Sequence, residues 1–135
     1  MKLALNTTHH RAGFTLVEIM ITIALIALMA AIAIPGYQRA RKRAQASRTL
    51  EELRILDYAV DQYALETGRK AGQTLTFTDV KAYVKTNTLV YSTGRDCFSQ
   101  TYGPFIVDES PKVPASTYAE LLEVAPAEFW RPYNP

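Results

Sequence analysis

From Phe14 to Ile34 the chain carries a single charge, the carboxylate of Glu18. As an α-helix this run would reach about 32 Å, against a hydrocarbon core of about 30 Å, so one membrane pass is expected. A charged side chain at the centre of a membrane helix costs about 2.5–3.5 kcal/mol, and less toward an end, so Glu18 needs a specific partner. Cutting the chain between Gly13 and Phe14 would create one, an α-ammonium within about a turn of helix from that carboxylate. An ordinary secretory signal peptide has an apolar stretch of about 7–15 residues followed by a small-residue cleavage site. Here the run is longer and its best cut lies in front of it. An uncleaved signal anchor is the other plain reading, and it leaves Glu18 unpaired and Gly13-Phe14 without a role.

The leader with Lys2 and Arg11, the Gly13-Phe14 junction, Thr15-Leu16-Val17-Glu18, and the run closing on Ile34-Pro35-Gly36-Tyr37 together resemble the class III signal sequence of type IV pilins and type II secretion pseudopilins. The likeness is close from Arg11 to about Arg43 and looser as far as Gly68. It implies that a prepilin peptidase cuts after Gly13 and methylates Phe14, and that Glu18 meets the N-terminal amine of a neighbouring subunit during assembly. The implied partners are copies of this chain or of related pilins and pseudopilins in a filament, the peptidase, an inner-membrane assembly platform and membrane lipid. The leader would be cytoplasmic and the C-terminal head extracytoplasmic, first in the inner membrane and then in the filament. By itself the positive-inside rule would keep the basic flank from Arg39 to Arg48 in the cytoplasm. Peptidase access requires the reverse.

Proline inside a helix removes a backbone bond and clashes with the preceding turn, at about 3 kcal/mol. Pro35 with Gly36 therefore predicts a kink or local melting near Ile34, and also marks a membrane boundary. From Tyr37 the apolar or small positions Ala40, Ala44, Leu50, Leu53, Leu56, Val60, Tyr63 and Ala64 recur mostly at three or four, which predicts an amphipathic helix stopped at Gly68. Beyond it the spacing predicts a short helix over 78–85 capped by Thr78 and strands at 88–91 and 102–107. A capping box, Thr117 to Glu120, would open a helix through Val124, and an irregular end over 126–135 would pack on the domain.

The expected fold class is α+β. Its parts are a leader at 1–13, a membrane and assembly helix at 14–34, an amphipathic helix at 35–68 and a small head of short strands and helices at 69–135. With 135 residues in all, any globular core is small.

Cleavage would remove Lys2 and Arg11 from fifteen basic residues, leaving thirteen against thirteen acids. A balance near zero argues against general nucleic-acid binding. Both histidines, His9 and His10, lie in the leader, so the processed chain has no imidazole for a metal or a catalytic base, and no cofactor or enzyme activity is expected. Cys97 is alone and cannot close the C-terminal loop that a cysteine pair closes in many type IV pilins. A buried, unreactive cysteine is expected there. The family's major pseudopilins bind calcium in the region of Asp96, Asp108 and Glu109, but these acids lack the close, regular spacing of a calcium loop and are left outside the site. Scattered tyrosines and Trp130 fit core and interface packing.

Charge along the amphipathic helix is segregated, with Arg39, Arg41, Lys42, Arg43 and Arg48 first, then Glu51, Glu52, Asp57, Asp61 and Glu66, broken only by Arg54. The block centres would lie about 21 Å apart along the axis. Lipid headgroup anchoring and an ordinary solvated face are the plain readings of the basic block; the expectation set beside them is that the basic block of one subunit faces Glu51, Glu52 and Asp57 of a staggered neighbour. The head is small and has no cysteine pair, which tilts the role toward a pseudopilin of a type II secretion-like system. A pilin for adhesion, motility or DNA uptake, or an uncleaved membrane-anchored binding domain, are the alternatives.

Overall fold

The structure, a computed structural model, describes residues 13–135; Lys2, His9, His10 and Arg11, expected in a leader, lie outside them. The chain divides into two units, the first ending at Tyr37 and the second spanning Gln38–Pro135. Helix α1, Leu16–Thr67, contributes to both, and α+β is the architecture.

In the first unit Gly13, Phe14 and Thr15 precede the helix, and the apolar side chains that follow face outward. Phe14 and Ile32 are each 76% exposed. Such a surface has no place in water and fits lipid or another apolar helix. Among the described residues α1 is the one helix long and apolar enough to cross a membrane. Pro35 and Gly36 are both helical, so the chain does not melt there.

In the second unit α1 lays one stripe on the core: Ala46, Thr49, Leu53, Leu56, Val60 and Ala64. Leu53, Leu56 and Val60 were expected on it, but Tyr37, Ala40 and Ala44 are exposed and the stripe begins at Ala46. The helix stops where a left-handed residue is needed. Gly68 takes φ 68, and the Arg69 N–H donates to the Ala64 carbonyl at 3.0 Å, satisfying a terminal acceptor.

Strand β1, Thr74–Leu75, pairs antiparallel with β2, Phe105–Ile106, in the register Thr74 to Ile106 and Leu75 to Phe105. The bonds Gly72 N–H to Val107 O and Val107 N–H to Gln73 O, each 3.0 Å, extend the pairing. Helix α2, Phe77–Val80, runs into a 3₁₀ turn, Lys81–Tyr83. Its cap is Thr76, not Thr78: the Asp79 carboxylate accepts from the Thr76 amide at 2.8 Å and from its hydroxyl at 2.6 Å. Those bonds hold the Asp79 carboxyl below its usual range.

Where a strand was expected at 88–91 the chain forms α3, Leu89–Thr93. Thr88 caps it by accepting from the Tyr91 amide at 3.2 Å, and Gly94, at φ 64, ends it. A side chain at Gly94 would be strained by that φ and would also meet the Phe77 ring at 2.9 Å. Helix α4, Ala115–Leu121, begins after Pro114 rather than at Thr117, whose buried hydroxyl is committed elsewhere. After it, the turn Ala127–Trp130 buries Trp130, which stacks edge-on to Phe129 at 5.2 Å and donates Nε1–H to the Ala125 carbonyl at 3.0 Å. The chain end packs on the core through Trp130 and Tyr133.

Candidate processing and assembly site

The residues before the helix set the geometry of the proposed cut. Gly13 and Phe14 are exposed and non-helical, an accessible stretch for a protease. Thr15 caps α1: its Oγ1 accepts from the Glu18 amide at 3.2 Å and its carbonyl from the Ile19 amide at 3.3 Å. Thr15-Leu16-Val17-Glu18 is therefore also a capping-box sequence, a second use of the same four residues that a reading for assembly overlooks. Glu18, in the first turn, lies at the positive end of the helix dipole, where an acid is favoured. Among the described residues no cation stands within ion-pair distance of it.

Of the residues expected to pair between subunits, several are committed within the chain. Glu52 is buried, accepting from Arg48 Nε at 3.1 Å and from the Tyr102 hydroxyl at 2.9 Å, so it leaves the set available to a neighbour. Asp57 accepts from the Tyr133 hydroxyl at 3.1 Å. Glu66 accepts from the Tyr83 hydroxyl, and Tyr63 meets the Tyr83 ring edge-on at 6.0 Å. Arg39 and Lys42 reach Glu123, at 3.9 and 3.8 Å. Arg41, Arg43 and Glu51 are exposed, and Glu51 holds only the helix neighbour Arg54, at 3.6 Å.

Three carboxylates of α1 thus fasten three tyrosines of the head. Hydrogen bonding to Glu66 raises the Tyr83 phenol above its ordinary 10.0. Burial raises Tyr102 and Tyr133, with the charges of Glu52 and Asp57 adding to it. A folded-state pKa raised above the unfolded one gives stability that is fully present below the unfolded value and lost as the pH climbs past it. The head should therefore be insensitive to these tyrosines at neutral pH and unfold as the pH rises above 10.0. Trp130 fluorescence should change together with that part of the tyrosinate absorbance which Tyr83→Phe, Tyr102→Phe and Tyr133→Phe remove. If that part appears at its ordinary pH in a folded head, these contacts are contradicted.

Asp96, dismissed as a calcium ligand, is a buried acceptor for the amides of Phe98 and Gln100, each at 2.8 Å, and for the Thr117 hydroxyl. Among the described residues no group of three or more metal-ligating side chains comes together. Cys97 is half-buried, not buried, with its thiol 3.7 Å from Thr49 Oγ1; burial raises the thiol pKa.

An accessible junction, a capped acid in the first turn and an outward-facing apolar helix are features that a prepilin-like N-terminus would present. The family model described as the prokaryotic N-terminal methylation motif matches residues 8–34. The chain is 44% identical over 61 residues to the type IV major fimbrial protein FimA of Dichelobacter nodosus, covering 45% of this chain and 38% of FimA. A fimbrial protein of Pseudomonas aeruginosa is 46% identical over 54 residues, 40% of this chain and 35% of its own. The type IV major pilin protein PilE1 of Neisseria gonorrhoeae is 42% identical over 57 residues, 42% of this chain and 34% of its own. No solved structure matches. The chain is thus similar to type IV pilins over less than half of its own length. It spans little more than a third of the length of these relatives.

Proposed function

We propose that the chain is a structural subunit of a type IV filament-like assembly. It would be inserted with its leader in the cytoplasm, cut after Gly13, N-methylated at Phe14 and polymerised through its N-terminal helix on an inner-membrane platform. The observation that carries this reading is Glu18: one carboxylate in the first turn of an exposed apolar helix, close to the amine that the cut would create. A carboxylate and an ammonium that meet in a low-dielectric layer neutralise each other, and a misregistered subunit would leave both unpaired. Pro35 and Gly36, helical here, are where the helix would bend on entering a filament. The test of processing is intact mass and N-terminal sequencing after expression with a prepilin peptidase, beside a Gly13→Val control. A chain beginning at N-methylated Phe14 supports the reading, and one that keeps its leader turns it toward an uncleaved anchor.

Within that class the proposed role is a pseudopilin of a type II secretion-like system. The small head and its single cysteine favour this. The names of the relatives favour a pilin instead, although less than two fifths of each is matched. Deleting the gene separates the two: lost export with surface fibres intact supports the pseudopilin, and lost fibres with normal export supports the pilin.

Charge pairing between subunits would fall mainly to Arg41 and Arg43 against the exposed acids Glu51 and Asp61. Glu51→Lys with Asp61→Lys should lower filament yield several-fold. Arg41→Glu with Arg43→Glu should restore part of it. Unchanged filament yield in the first double variant rules the pairing out.

A further inference from the structure

No acid occurs between Glu18 and Glu51, while Arg39, Arg41, Lys42, Arg43 and Arg48 lie in that interval. At about 100° of rotation per residue, the first four leave the helix at about 0°, 200°, 300° and 40°, a fan of about 200°. A helix that docks on one partner face needs a stripe of about 100°. Twice that width in one sign of charge suits a layer of opposite charge better than a face.

Neutralisation from within the head is partial. Glu123 approaches Arg39 and Lys42 at 3.8–3.9 Å, and all three side chains keep substantial solvent contact. Exposed pairs of that kind contribute little and exchange readily. Arg41 and Arg43 are exposed, with no acid at ion-pair distance among the described residues. Leu122, the neighbour of Glu123, is 49% exposed. The end of α4 therefore adds an apolar side chain next to the acid that touches these cations, and apolar area beside cations is what binds segments to anionic bilayers. Along the chain the basic stretch follows directly on the apolar run and Pro35-Gly36, where lipid phosphates stand beside a membrane-spanning helix.

We infer that Arg39, Arg41, Lys42 and Arg43 form a collar that binds anionic phospholipid headgroups and holds the head of the membrane-resident subunit on the bilayer surface. This rests on the membrane-anchored reading of residues 14–34. Guanidinium groups suit the task because they bind phosphate oxygens in pairs. Glu123 is a competitor for two of the four cations, so its removal should strengthen lipid binding.

The test uses the full-length chain in vesicles of phosphatidylcholine with phosphatidylglycerol, gently extracted and weighed by native mass spectrometry for retained lipid. A basic side chain at an anionic surface is worth about fivefold in binding. Phosphatidylglycerol should be enriched over phosphatidylcholine several-fold, Arg41→Gln with Arg43→Gln should cut the enrichment at least about fivefold, and Arg41→Lys with Arg43→Lys should keep most of it. Glu123→Gln should raise it. Equal retention of both lipids, or no loss in the glutamine variant, overturns the collar while leaving the anchor in place. Release of the protein from membranes by alkaline carbonate overturns the anchor and the collar together.

Discussion

Glu18→Gln should give a protein that inserts, is cut after Gly13 and folds its head normally, yet enters filaments about ten- to a hundredfold less than the native chain. Glutamine keeps the size and the polar reach of glutamate and removes only the charge, so the α-ammonium of a processed neighbour would enter the apolar layer unpaired. An uncompensated charge costs about 2.5–3.5 kcal/mol at the centre of such a layer and less toward its end, where this amine would sit, and every 1.4 kcal/mol is about tenfold. Helix capping does not confound the test, because the Thr15 hydroxyl accepts from the backbone amide at position 18, which the substitution leaves in place. Glu18→Asp should fall between the two, its carboxylate being one methylene short. Filament yield and processing are read from the same cells by sheared-fibre immunoblot and N-terminal sequencing. Native yield from a processed Glu18→Gln chain would leave Glu18 with its capping role alone.

What could be read in the sequence was one-dimensional. The apolar run, the stop at Gly68 and the α+β class follow from local pattern, and no distant residue has to be known to see them. The segment 88–91 reads as a strand because Thr88, Leu89, Val90 and Tyr91 have the composition of one. The deciding facts are a cap bond that the Tyr91 amide donates to the Thr88 hydroxyl oxygen and the complete burial of Val90. At Thr117 the capping-box spacing was real, but its hydroxyl is taken by Asp96, 21 residues upstream. The acidic block misled in the same way. Charges can be counted along a helix, but the tyrosines that take up Glu52 and Asp57 lie 50 and 76 residues away. Arg39 and Lys42 likewise find Glu123 only in the folded head. Sequence spacing separates an acid free for a neighbour from one already used only when its partner is local.

Asp96→Ala should destabilise the head by about 3–5 kcal/mol, enough to unfold a domain of this size at physiological temperature. One buried carboxylate accepts from two amides and a buried hydroxyl, and alanine leaves all three donors without a partner. Its position makes the loss larger than a local one. The segment from Gly94 to Tyr102 is closed by the bridge of Arg95 to Thr101 and by the Tyr102 amide donating to the Gly94 carbonyl at 3.1 Å. Asp96 fills the inside of that loop, and the loop sets Tyr102 on Glu52 and Cys97 beside Thr49. A lone cysteine cannot lock such a loop covalently, and here a hydrogen-bonded carboxylate closes it instead. Asp96→Asn should cost less, about 1–2 kcal/mol, because its carbonyl can still accept from both amides. Thr117→Val should also cost about 1 kcal/mol, since it leaves the two amide bonds in place. Urea unfolding followed by Trp130 fluorescence measures all three, and the double variant gives the coupling between Asp96 and Thr117. An Asp96→Ala head within about 1 kcal/mol of native would mean that the loop holds its shape by backbone bonds alone.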